Sequence, residues 1–213
     1  MSAEPASRTE APPLETGDRL TQAEFHRRYE LHPDLHHVEL IEGVVYVPSP
    51  VRFEQHGEPQ GMIIGWLAAY VAAHTHARLS GPGTVILDGD NEPEPDAILL
   101  LRPEAGGQAR LSAKGYVSGA PELVVEISAT SVSVDLGDKL RAYRRNGVRE
   151  YIVWSTFDEQ LRWFVLRDGD FELLGGDGEG IITSTVFEGL RLDVPALLRG
   201  DLAAVLKEQS TTT

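Results

Sequence analysis

LVVEISATSVSVDLGDKLRAYRRNGVREYIVWS, residues 123–155, decides the fold. Its first six residues, LVVEIS, are almost continuously apolar, the pattern of a strand covered on both faces. EYIVWS at 150–155 has the same character. Between them, residues 135–146 read as a helix. Asp135 is an N-cap candidate, Asp138 stands three residues later in a capping-box-like pair, and Gly147 suits the C-terminal stop. A strand, a helix and a strand in this order predict two parallel, neighbouring strands.

Two charges are out of place in this unit. At about 100° per residue, Leu136, Leu140 and Tyr143 form a narrow apolar stripe, and Lys139 lies within about 60° of its centre. Glu126 shares a strand face with Val124 and Ser128, opposite Leu123, Val125 and Ile127. A charge held against a core is costly unless it is paired, so each is the natural partner of the other.

Outward from this unit the chain reads as one α/β domain with a mixed sheet. TQAEFHRRYE (21–30) is a short helix capped by Thr21. VELIEGVVYV (38–47) is a hairpin broken at Glu42-Gly43 and ended by Pro48-Ser49-Pro50. The stretch 55–78 is helical in its second half, with Ile63, Trp66, Leu67, Tyr70 and Val71 at helical spacing. GTVIL (83–87) and DAILLL (96–101) read as strands flanking an acidic turn, and a Gly-rich loop spans roughly 103–119. LRWFVL (161–166) and FELL (171–174) make a second hairpin. ITSTVF, LRLDV and a final helix ending near Leu206 complete the domain.

The 213 residues suffice for a substantial core, placed here at 19–207. Residues 1–18, rich in Pro, Glu, Ser and Ala, read as a disordered tail, and 208–213 as a flexible C-terminus. The chain has no cysteine, which excludes a disulfide framework, a thiolate zinc site and a cysteine nucleophile, and fits a reducing cytoplasm. No run of about 18 apolar residues is present, so no membrane span is expected. Lys plus Arg is 19 and Asp plus Glu is 33, for a net charge of −14. An acidic chain is repelled by nucleic acid at long range, which argues against tight non-specific DNA binding but leaves room for a local site organised by a metal ion.

Asp96, Glu126 and Lys139 are the residues with chemistry to offer. Two carboxylates on adjacent strand positions can hold a divalent cation through oxygen, with water completing the shell. A nearby ammonium can orient the attacking water or stabilise charge on a phosphate. The bland alternatives are a turn residue at Asp96, a buried ion pair at Glu126, and a lysine stem that reaches back to solvent. Other clusters carry less. His74 and His76 are splayed by a helix, and His36-His37 reads as solvated. The acidic string Asp88, Asp90, Asn91, Glu92 and Glu94 lacks the spacing of a calcium loop and reads as a solvated turn. Arg141, Arg144, Arg145 and Arg149 fall on an exposed helix face. No phosphate-binding Gly loop and no nucleophile-elbow serine is present.

Pro95-Asp96, VVEIS with Glu126, and Asp135 and Lys139 in DLGDKLRAYRRNGVREYIVW together resemble the Uma-two endonuclease family of the PD-(D/E)XK restriction-endonuclease-like superfamily. VELIEGVVYVPSP followed by His56 is similar to that family's opening segment. The resemblance implies a restriction-endonuclease-like core, a mixed central sheet flanked by helices with extra hairpins. It implies Asp96 and Glu126 as ligands of Mg2+, with Mn2+ as substitute, and Lys139 as the catalytic lysine acting on DNA. The superfamily's commoner pattern places the lysine two residues after the acid on the same strand; here that position is Ser128. Glu39 as a further acid near the metal, His56 as a phosphate or substrate contact, and a homodimer are carried over with it. The alternatives are a binding or assembly module that keeps the fold without cleaving, and hydrolysis of a small phosphate ester.

Overall fold

The computed structural model describes residues 11–48 and 52–210. The sequence-based expectation for Ser49-Pro50 and for residues 1–10 lies outside the described residues. A six-stranded mixed sheet forms the centre. Its strands are β3 (Ala77–Ser80), β4 (Ala97–Leu101), β5 (Leu123–Ser128), β6 (Glu150–Ser155), β7 (Gln160–Arg167) and β8 (Asp170–Leu173), preceded in the chain by a separate hairpin, β1 (Glu39–Ile41) and β2 (Val44–Tyr46). The spatial order is β8-β7-β6-β5-β4-β3, and only β5 and β6 run parallel, as the strand–helix–strand reading requires. The other neighbours are antiparallel.

Every residue of β5 and β6 is buried, because both faces of the sheet are covered. On one face Leu123, Val125, Ile127, Ile152 and Trp154 pack with Ile63, Trp66, Leu67 and Tyr70 of a long helix, Glu58–Ala73. On the other, Val124, Tyr151 and Val153 pack with Tyr143 and Val148 from the end of the crossover helix. Glu126 alternates onto this second face, toward the helix that carries Lys139.

The crossover helix departs from its expected form. It begins at Val132, not Asp135, passes through a π-helical turn at Asp135–Lys139, and continues as regular helix over Leu140–Asn146. Asp135 is therefore not an N-cap. Its backbone is already helical, and its carboxylate accepts hydrogen bonds from the Ser128 and Ser131 hydroxyls, both at 2.5 Å. The stop at Gly147 is as read, with φ of 83°.

Other differences have local causes. Residues 77–80 form the edge strand β3, not the end of a helix: the preceding helix closes at Ala73, where the His74 amide turns back to the carbonyls of Tyr70 and Val71. Within GTVIL only Val85–Ile86 is strand. It belongs to a small sheet with Arg110–Leu111 and Val117–Ser118 from the Gly-rich loop. The acidic string is not a solvated turn throughout. Asn91 and Glu92 are buried, Asn91 accepting from the Glu42 amide and Glu92 accepting from Gln22 and facing His26. Part of the expected tail packs as well. Ala11 and Leu14 are buried, and Asp18 and Gly17 bond to the backbone of Val45. The final helix runs over Leu202–Ser210, so residues 208–210 continue it. The turn Glu42-Gly43 takes positive φ at both positions, 51° and 73°, as a tight two-residue hairpin demands. Among the described residues, no helix is long and apolar enough to cross a membrane.

Candidate active site

Strand register brings the acids together. Ala97 lies opposite Val125, so Asp96, one residue before, reaches the same end of the sheet as Glu126, one residue after. The Asp96 carboxylate takes the place of a ladder acceptor there, receiving the Ile127 amide at 2.7 Å through Oδ2. Its other oxygen, Oδ1, faces His56 Nε2 at 3.0 Å and Gln60 Nε2 at 3.2 Å. The hairpin supplies a third acid: Glu39 Oε1 accepts the Glu94 amide at 2.7 Å.

Lys139 sits among these acids and is only 5% exposed. Its Nζ is 2.8 Å from Glu39 Oε1, 3.0 Å from Glu126 Oε1 and 3.6 Å from Asp135 Oδ1. The stem does not run out to solvent. The same Glu126 oxygen also accepts the Tyr143 hydroxyl at 2.7 Å, which leaves Oε2 without a hydrogen-bond donor among the described residues. Lys139 and the carboxylates of Glu39, Glu126, Asp135 and Asp96 line one cleft of about 520 Å³, with Arg52, His37 and Phe157 among its other walls.

The electrostatics follow from burial and crowding. Burial pushes the Glu126 carboxyl well above the usual carboxylate range; Lys139 pulls it back, while Asp135, Glu39 and Asp96 push the same way as burial. The Glu39 carboxyl is raised for the same first reason, desolvation, against the pull of Lys139. Burial alone would lower the Lys139 ammonium. The carboxylates of Glu126, Glu39 and Asp135 overcome it and hold the ammonium well above the ordinary lysine value. His56 is raised by its hydrogen bond to Asp96, and its Nδ1 is buried without a partner among the described residues.

Residues 22–195 match the sequence profile of the Uma2 family, described as "Putative restriction endonuclease". The chain belongs to the Uma2 family. Among solved structures it resembles one described as "a putative nuclease belonging to DUF820" from Anabaena variabilis ATCC 29413, with a TM-score of 0.61 and 15% sequence identity over 76% of this chain and 90% of that one. At that identity the likeness shows a shared fold. No curated protein matches the chain.

In this Uma2 protein the structure gathers Asp96, Glu126, Lys139, Glu39 and His56 around one cleft. Ser128 stands behind them, holding Asp135. Asp135, a cap by its sequence signature, is instead a buried member of the cluster; its spacing four residues before Lys139 is the signal that points there. Tyr143 belongs to the apolar stripe of the helix, yet its hydroxyl reaches Glu126. Among the described residues, no three His, Asp or Glu side chains converge as a metal-binding group. A cation here would rest on Asp96 and Glu126 and complete its shell with water or substrate oxygen.

Proposed function

We propose that this protein is a metal-dependent endonuclease that hydrolyses DNA phosphodiester bonds, with Asp96 and Glu126 as ligands of Mg2+ (Mn2+ substituting) and Lys139 orienting the attacking water. The observation that carries this reading is the buried Lys139 ammonium held between Glu39 and Glu126 in the cleft that Asp96 also lines. The descriptions of the family and of the Anabaena protein support the reaction class.

The donor set suits a hard divalent cation. Asp96, Glu126, Glu39 and Asp135 crowd one cleft against a single lysine, an excess of carboxylate oxygens over nearby ammonium. Mg2+ is typically bound through one or two carboxylates with several waters retained, which two oxygen ligands satisfy. When bound, such an ion polarises a phosphoryl oxygen and makes water a better nucleophile.

The chain's own residues then have separable tasks. Lys139 donates hydrogen bonds to the attacking water or to a non-bridging phosphate oxygen. Glu39 and Asp135 fix the lysine, replacing the strand that carries it in the commoner arrangement. His56 donates through Nε2 to Asp96, and in its protonated form, which that hydrogen bond favours, Nδ1 is a second donor for an anionic oxygen.

The test is nicking of supercoiled plasmid with Mg2+ and with Mn2+. Wild-type protein should nick, and Lys139→Ala and Asp96→Ala should each lower the rate by about 10²–10³-fold with an unchanged circular dichroism spectrum. Nicking that persists in both variants sinks the assignment. The net charge of −14 favours a second reading, a binding or assembly module on the same fold. Calorimetry that finds no Mg2+ or Mn2+ uptake, together with no nicking of any DNA form, would support it.

A further inference from the structure

Two phenylalanine rings stand in solvent on segments that line the cleft. Phe157 lines it and is 59% exposed, and Phe53, at the first residue of the helical turn that carries His56, is 74% exposed. Neither ring packs on another aromatic residue among the described residues. An exposed ring on the wall of a ligand-sized cleft is placed to meet whatever enters it. The two segments are tied to each other and to the site: the Thr156 hydroxyl donates to the Gln55 carbonyl at 2.9 Å, and the Thr156 amide donates to the Ser128 carbonyl at 3.0 Å. Phe157 thus follows directly on an anchored residue, and the Phe53 turn is fastened two residues along, both at the end of the strand that bears Glu126.

The charge around them is as informative. Lys139 is consumed by carboxylates, which leaves Arg52 as the one unpaired lysine or arginine among the described residues that line the cleft. Duplex binding is driven largely by many lysine and arginine contacts to phosphate, and this cleft does not offer them. Strands with unpaired bases can be held differently, because every base presents a face on which an aromatic ring stacks.

We infer that Phe157 and Phe53 form a stacking subsite for unpaired bases of a DNA strand, with Arg52 on an adjacent phosphate, so that the cleft takes single-stranded or locally unpaired DNA in preference to intact duplex. This rests on the nuclease reading for its biological use, but its test does not require cleavage.

Fluorescence anisotropy in EDTA would compare the full chain's binding to a labelled single-stranded oligonucleotide, the corresponding blunt duplex, and an abasic strand of the same length. The single strand should bind at least about tenfold more tightly than the abasic strand, the size of one stacking contact. Phe157→Ala should remove about that factor on the single strand and leave the abasic strand unchanged; Phe157→Trp should restore it, and Phe53→Ala should act in the same direction. Equal binding of the base-bearing and abasic strands overturns the inference, as does Phe157→Ala binding like wild type. Light scattering that shows a dimer lost in Phe157→Ala, with oligonucleotide binding unchanged, would assign the rings to a second copy of the chain instead. Failure to cleave any DNA form, single-stranded or duplex, with metal would sink the nuclease reading and leave this result standing.

Discussion

Glu126 and Glu150 are buried glutamates on adjacent parallel strands, and their surroundings differ in kind. Glu150, at the start of β6, is closed off by neutral donors. It accepts from the Thr185 amide and hydroxyl through one oxygen, and from the Ser184 hydroxyl and Trp163 indole through the other. Glu122, just ahead of β5, is likewise held by the backbone amides of Leu101 and Gln108. Neither lines the cleft. Glu126, toward the opposite end of the same two strands, keeps one oxygen without a donor among the described residues and faces a cation shared with two other acids. The difference separates an acid that fastens loops to the sheet from one left partly unsatisfied where a ligand can enter. Burial alone does not distinguish them; the completeness of the hydrogen bonding does.

The contrast can be broken most directly at Glu150. Glu150→Ala strands four donors at the base of the sheet and should cost at least about 3 kcal/mol in urea unfolding. Glu126→Gln should cost less than about 1 kcal/mol, because Lys139 keeps Glu39 and Asp135 and the crowding of carboxylates falls. Equal losses in the two variants would make Glu126 another fastening acid.

A smaller effect sharpens the comparison through pH. The Glu126 and Glu39 carboxyls are raised in the folded protein, so each favours folding most fully below the unfolded value of 4.5 and loses that contribution as pH rises through its folded value. The Lys139 ammonium is raised too, and its contribution is fully present below 10.5 and is lost as pH rises above that value. Unfolding free energy measured in metal-free buffer from pH 4.5 upward should therefore decline with a shallower slope in Glu126→Gln than in wild type. Parallel slopes would remove Glu126 as the origin.

The misplaced pair is legible because each charge interrupts an apolar pattern of known period: Glu126 in LVVEIS and Lys139 in a helical stripe. Asp96 is not legible by itself, since its meeting with Glu126 is a matter of strand register, which the sequence does not state. Glu122 and Glu150 stand at the edges of apolar runs, where a glutamate looks like the last solvated residue. Asp135 looks like a helix cap for a related reason. A short acid near a helix start has the same signature whether it bonds to backbone amides or to serines from a neighbouring strand. The edge strand at 77–80 is short and half polar, and its only evidence is its partner, β4.

The π-helical turn at Asp135–Lys139 changes how this helix tolerates alteration. Gly137, at its centre, meets nothing within 4 Å, so a side chain there has room. Removing a residue is another matter. Each residue lost rotates the downstream half of the helix by about 100° relative to the upstream half, and Lys139 could no longer keep its place beside Asp135 while Tyr143 holds Glu126. The helix is thus more vulnerable to a changed count of residues than to a changed identity, and a Gly137 deletion that folds but does not nick would be the mark of it.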